Sequence, residues 1–170
     1  MKRMDVCTVA AVSGGPSASL VVLRTRETDD SAARQLPIRI GGIEAESIAM
    51  GISDQPLPRP LTHDLMLSTV DALGGRLDGV EISDVEGTTF FAKLLLTDAY
   101  GVHREVDARP SDARALAVRR HIPIYASEQV IDAASMPNFS GVEDAEKEQE
   151  LRDFHDFVET LSPEDFGGEK

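Results

Sequence analysis

The sequence predicts an α+β protein: an internally duplicated unit of three strands and two helices, forming one curved, barrel-like, mostly antiparallel sheet flanked by helices. Three observations predict it. Runs of alternating apolar residues are followed by stretches at helical spacing, and this order occurs twice. When residue 40 is set against residue 108, Glu44-Ala45 falls on Asp112-Ala113 and Ile48-Ala49 on Leu116-Ala117. The hydrophobic fraction of 41% over 170 residues is enough for a real core.

In the first unit, residues 5–13 read as a strand and residues 18–26 as a second, with Gly14-Gly15-Pro16-Ser17 turning between them. Residues 27–33 are a polar loop. The alternating run 36–40 is a third strand, placed at an edge because Pro37 has no N–H to donate. Residues 43–52 are helical, with Ala45, Ile48, Ala49 and Ile52 on one face. A Pro-rich hinge over 55–60 leads into a helix over 62–73. Thr62 is its N-cap, Leu61 and Met66 form a staple, and Gly74-Gly75 ends it. Its apolar face is Leu65, Met66, Val70 and Leu73.

The second unit starts with a strand over 77–85, carrying Val80 and Ile82 on one side. Gly87 turns the chain into a strand over 88–97, with Phe90, Ala92, Leu94 and Leu96 on one side. A strand over 103–108 and a helix over 110–120 follow, the helix turning Ala113, Leu116 and Ala117 inward. Residues 122–126 are extended, and Ser127 caps a short helix through about residue 134. The domain thus covers 1–135, with repeats of about 5–74 and 76–135. Residues 136–142 form a linker, and 143–170 an acidic tail. Its helix over 143–161 carries Leu151, Phe154, Val158 and Leu161 at helical spacing, and Ser162-Pro163 stops it.

Net charge is −13, of which the segment 143–170 carries −8 with 11 acids against 3 bases. A bulk basic field of the kind that draws polyanions is therefore missing, and a nucleic-acid function has to rest on a local patch. The single cysteine, Cys7, excludes an internal disulfide and fits a reducing compartment. Its alternation with apolar neighbours predicts a buried structural thiol. No apolar run approaches the length needed to span a bilayer, and the start lacks the apolar core of a signal peptide. The expected location is the cytoplasm. Uncovered sheet edges and the Phe-bearing tail predict a homo-oligomer.

Two short blocks carry the candidate chemistry: Arg59-Pro60-Leu61-Thr62-His63-Asp64-Leu65 and Asp107-Ala108-Arg109-Pro110-Ser111-Asp112-Ala113. Each sets an Arg-Pro pair just ahead of a helix start and a carboxylate in the first turn. Helix N-termini offer N–H donors and a positive dipole end. Arg59 and Arg109 are candidates for gripping a phosphate bidentately. His63 is a candidate base, since its ordinary pKa lies near neutrality. Asp64 and Asp112 are candidate catalytic acids, and Asp64, Asp107, Asp112 and Glu44 are candidate ligands for Mg²⁺ or Mn²⁺. Each has a structural alternative. A carboxylate in a first turn stabilises a helix by about 0.3–1 kcal/mol with no catalytic role.

The chain resembles the bifunctional nuclease (BFN) domain family. The carriers are Arg-Pro-Leu-Thr-His-Asp-Leu at 59–65, Val-Asp-Ala-Arg-Pro-Ser-Asp-Ala at 106–113 and Ile-Pro-Ile-Tyr-Ala-Ser-Glu at 122–128. Residues 42–49 and the ending Leu-Ser-Pro-Glu-Asp-Phe at 161–166 also resemble it. The resemblance implies the duplicated architecture and an activity on both DNA and RNA. The expected function is a divalent-metal-assisted nuclease of low sequence specificity acting on DNA and/or RNA phosphodiesters. The alternative reading is a non-catalytic binding or regulatory module that uses the same pocket for a small anionic ligand or a protein partner.

Overall fold

Two antiparallel meanders are spliced by a three-residue strand. The computed structural model describes residues 1–11, 18–27, 32–53 and 58–137. Its first meander is β1 (Lys2–Ala11), β2 (Ala18–Thr25) and β3 (Arg34–Gly41). The helices α1 (Gly42–Ser53) and α2 (Thr62–Ala72) follow. The second meander is β4 (Arg76–Glu86), β5 (Thr89–Thr97) and β6 (His103–Ala108). Then come α3 (Pro110–Arg120), β7 (Ile124–Ala126), α4 (Glu128–Ala134) and β8 (Met136–Pro137). The predicted acidic helix over 143–161 lies outside the described residues.

The strands form one eight-stranded sheet in the order β6-β5-β4-β7-β1-β2-β3-β8. It is open rather than closed, so the barrel expectation holds only as far as a mixed α/β fold with one large sheet. All pairings are antiparallel except β4 with β7. Tyr125 of β7 pairs with Arg3 on one side and Glu81 on the other, which joins the two meanders. The predicted linker begins as a strand: Met136 and Pro137 pair with Gln35 and Arg34. Pro37 is tolerated because β8 reaches only that end of β3.

Cys7 departs from the expectation. It is exposed. The register of β1 on β2 shifts between Val6 and Thr8, which leaves Cys7 in a bulge. A bulge inserts one residue and resets the alternation of faces, so a period of two no longer predicts burial past it.

The core is aliphatic, with Leu23, Leu36, Ile48, Val80, Ile82, Leu94, Leu116 and Val130 the largest fully buried side chains. At its centre runs α3, buried at Ser111 and at every position from Ala113 to Ala117. A helix enclosed on all sides needs small side chains, and Ala113, Ala115 and Ala117 supply them. By contrast α2 buries Leu67, while Leu65 and Leu73 of its expected apolar face are 59% and 74% exposed. Its N-cap is Leu61 rather than Thr62. In α1, Ile48 and Gly51 face inward and Ile52 faces out. No helix of the described residues is long and apolar enough to cross a membrane.

Gly51 is where α1 and α3 touch. A Cβ built there stands 2.7 Å from Val118 Cγ2 and 2.7 Å from Arg119 Nη1. Helix propensity alone favours alanine over glycine by about 0.5–1 kcal/mol. Overpacking costs about 1–3 kcal/mol and dominates here. Gly51→Ala is expected to lower the urea midpoint with an unchanged slope, and a raised midpoint would show that the two helices separate freely.

Candidate functional site

The first turns of three helices meet. Glu44 and, one turn later, Ser47 come from α1; His63 and Asp64 come from α2; Arg109 and Asp112 come from the start of α3. Pro110 at the first helical position sets α3 going, and Arg109 before it is extended. That backbone leads its side chain back over the helix start. Arg109 forks onto Asp112, Nε donating to Oδ2 at 2.8 Å and Nη2 to Oδ1 at 3.1 Å, while Nη1 donates to Glu44 Oε1 at 3.1 Å. One guanidinium thus holds the acids of two helices. It uses three of its five N–H groups, leaving two for a ligand.

His63 bridges the other pair. Its Nε2 lies 3.4 Å from Asp112 Oδ1, and its Nδ1 lies 3.0 Å from Ser47 Oγ. An ionised carboxylate only accepts, so Nε2 carries the ring proton and Nδ1 accepts from the Ser47 hydroxyl. Asp112 remains ionised for a definite reason. Burial works to raise its carboxyl, but the bond and charge of Arg109, with help from His63, outweigh this and hold it below the ordinary range. Asp112 in turn raises the Arg109 guanidinium, and Glu44 adds to that.

Beneath this network sits Arg119, whose side chain is 7% exposed. Its Nε donates to Asp64 Oδ1 at 2.8 Å, and Nη1 donates to the carbonyls of Ser47 at 3.0 Å and Ala115 at 2.8 Å. Asp64 Oδ2 accepts the Leu61 N–H at 3.0 Å, closing the N-terminus of α2. Asp64 is therefore engaged on both oxygens, one in a helix cap and one in an ion pair.

The two Arg-Pro blocks converge, and they bring Glu44, His63, Asp64, Arg109 and Asp112 together. Asp107 stands apart on β6, opposite Lys93, whose ammonium is raised chiefly by its hydrogen bond to Glu105 and only slightly by Asp107. Arg59 is exposed and, among the described residues, makes no hydrogen bond or ion pair. Ser47 and Arg119 join the site without having been singled out in the sequence. Beside Glu44 and Arg109 runs an open groove of about 330 Å³, walled by Arg39, Thr88, Phe90 and Ser111.

Among the described residues, no group of three or more His, Cys, Asp or Glu side chains is placed to hold a metal ion. Glu44 and Asp112 share a guanidinium instead, since Arg109 takes the position between them. In this arrangement the donor set does not fit a resident Mg²⁺ or Mn²⁺.

The network has a pH signature. A carboxyl held below its ordinary value stabilises the fold above the unfolded value of 3.8, and that contribution is lost as pH falls through the lower folded value. The Asp112 side chain is 34% exposed, so solvent screening limits the effect to about 1 kcal/mol. Asp112→Asn is expected to be less stable than wild type at neutral pH, and the gap between the two urea midpoints is expected to close as pH falls below the ordinary carboxylate range. A constant gap down to acid would show that the loss is steric.

Residues 21–138 match the family model described as the bifunctional nuclease domain. Two proteins named as uncharacterized, from Mycobacterium tuberculosis strains CDC 1551 and H37Rv, are each 40% identical to the chain over 149 residues. The match spans 85% of this chain and 87% of each relative.

Proposed function

Since this chain belongs to the bifunctional nuclease domain family, we propose that it hydrolyses DNA and RNA phosphodiesters with low sequence specificity at the Ser47–His63–Asp112 line. The observation that carries this reading is the imidazole held between a hydroxyl and an ionised carboxylate. Asp112 fixes the tautomer, which leaves Nδ1 as the base. A water attacking phosphorus gives its proton to Ser47 Oγ while the Ser47 hydroxyl proton passes to His63 Nδ1; the bond from phosphorus to the leaving sugar oxygen breaks, and that oxygen takes a proton from solvent. Asp112 then steadies the imidazolium. The two remaining N–H groups of Arg109 and the unengaged guanidinium of Arg59 take the phosphoryl oxygens. The groove suits a single strand, since it offers Arg39 and Arg109 to phosphates and Phe90 to a base face.

Local charge makes nucleic-acid binding compatible with a chain of net charge −13. Around the site three carboxylates, Glu44, Asp64 and Asp112, are paired by Arg109 and Arg119, and Arg39 lines the groove beside them. A second reading has a specific observation behind it: every carboxylate of the converged site is engaged by an arginine. That arrangement favours a module that binds an anion without cleaving it.

One assay separates the two. Purified chain is incubated with end-labelled single-stranded DNA and RNA, in EDTA and with added Mg²⁺ or Mn²⁺, beside a His63 variant. Cleavage by wild type alone supports hydrolysis. Retarded but intact substrate supports the binding module, and equal trace cleavage in both samples marks a contaminant.

A further inference from the structure

Between β1 and the C-terminal end of α3 lies an open pocket of about 210 Å³. Its apolar walls are Met4 and Val6 of β1, Val118 of α3, and the run Ile122-Pro123-Ile124 that leads into β7. The polar side chains in the lining are Arg3, Asp5, Arg26 and His121. In a chain of net charge −13 this is a local excess of bases over acids. The meander concentrates the charge. The Arg26 N–H donates to the Arg3 carbonyl at 2.9 Å, and Asp5 stands opposite Arg24. Residues two apart on a strand share a face, so Arg3, Asp5, Arg24 and Arg26 form one patch. Arg26 forks onto Asp5, Nε donating to Oδ2 at 2.8 Å and Nη2 to Oδ1. That bond chiefly holds the Asp5 carboxyl below its ordinary range, against burial, and the charges of Arg3 and Arg24 add to it. The acid of the patch is thus neutralised, and the surplus is cationic. Arg26 keeps three N–H groups for a ligand. The Arg3 guanidinium makes no hydrogen bond or ion pair among the described residues, which leaves all five of its N–H groups.

His121 reaches the same pocket on a strained backbone. Among the described residues it is the one non-glycine with positive φ, at 52°. It ends α3 in the left-handed region, and its N–H and that of Ile122 both donate to the Ala117 carbonyl. Glycine takes that position without strain. A histidine there sets an imidazole in the pocket wall, and the ring makes no hydrogen bond among the described residues. The carbonyl end of α3 opposes an anion, so the charges of Arg3 and Arg26 are needed to hold one. Donors therefore converge from three places: β1, the residue after β2, and the end of α3. A carboxylate is satisfied by a single arginine fork. A backbone phosphodiester carries one negative charge, and two of its oxygens are tied up in esters. A phosphate monoester carries about −1.5 to −2 and three strong acceptor oxygens, which matches donors on three sides.

We propose that the pocket between β1 and the end of α3 binds a phosphate monoester group, held by Arg3, Arg26 and His121. The group belongs to a free nucleotide or to the phosphorylated end of an oligonucleotide. Roughly 12 Å of helix axis separates Asp112 from the end of α3. The pocket is thus distinct from the Ser47–His63–Asp112 line and stands whether or not that line cleaves phosphodiesters.

The test is calorimetric titration of the full chain in phosphate-free buffer containing EDTA. The probes are inorganic phosphate, adenosine 5′-monophosphate and adenosine. The first two are expected to bind, and adenosine is expected not to. Arg3→Gln changes an exposed side chain, so it is expected to keep the fold and to weaken both ligands about tenfold. His121→Gly removes the imidazole together with the strain, so it is expected to keep its Tm while phosphate affinity falls about threefold. A purely structural role for His121 would leave the affinity unchanged. A tetranucleotide with and without a 5′-phosphate separates the two sources, titrated into the His63→Gln chain to prevent cleavage. Affinity gained from the 5′-phosphate assigns the site to a chain end, and no gain assigns it to the free nucleotide. Three results would overturn the proposal: no binding of phosphate or the monophosphate, unchanged affinity in both Arg3→Gln and His121→Gly, or binding that Arg39→Gln abolishes and Arg3→Gln spares.

Discussion

His63→Gln leaves the Tm within about 1 °C of wild type and lowers phosphodiester cleavage about 10²–10⁴-fold, the range expected for loss of a general base. Glutamine keeps a donor near Asp112 and an acceptor near Ser47, so the half-buried pocket stays filled and hydrogen-bonded. What it cannot do is take a proton. The 3.4 Å separation of Nε2 from Asp112 is long for a hydrogen bond. Such contacts commonly tighten when substrate arrives, so the length does not weaken the assignment. Ser47→Ala is expected to follow His63→Gln in direction, because the hydroxyl fills the space between the imidazole and the incoming water. Unchanged cleavage in His63→Gln, with the fold intact, would remove His63 from the chemistry and leave the binding module as the better reading.

Local signals carried most of the fold. Pro110 and Ser127 mark helix starts through their own backbone geometry, and α3 and α4 begin where those residues place them. The run Phe90, Ala92, Leu94, Leu96 declares a half-buried strand by alternation alone. Failures came where a tertiary feature overrides a period. The bulge at Cys7 inverts the facing of β1 beyond it. On α2, Leu65 and Leu73 look like core by spacing, yet the enclosed helix is α3, and α2 covers it through Leu67. Residues 109–120 contain four arginines at no telling period, and only their depth in the fold separates the exposed Arg120 from the buried Arg114 and from Arg119, whose side chain is 7% exposed. A signal for all-round burial was present in the alternating Ala113, Ala115 and Ala117, since small residues on every face leave no solvent side.

The convergence of the two Arg-Pro blocks was legible because each block caps a helix, and caps cluster where helices start side by side. Ser47 was not. It sits inside a helix and has no motif of its own, and only the one-turn spacing from Glu44 puts both on the same face. Exposed apolar positions also remain, including Tyr100 at 91% exposure, next to β6, which is an end strand of the sheet among the described residues.

Arg119→Met is expected to cost about 2–3 kcal/mol, read as a lower urea midpoint, and to reduce cleavage as well. The side chain is 7% exposed and joins all three helices of the site: Asp64 at the start of α2, the Ser47 carbonyl in α1, and Ala115 in its own helix. Methionine fills the volume but removes the donor from Asp64 and from the carbonyls of Ser47 and Ala115. Asp64 is 34% exposed, and water repays part of that loss, which keeps the figure below that of a fully buried pair. The decisive measurement is a double-mutant cycle with Asp64→Asn. Removing both charges relieves the stranded one, so the double variant is expected to lose less than the two single losses combined. Strict additivity would mean that Arg119 and Asp64 act separately, and that Arg119 holds Ser47 in place without reference to α2.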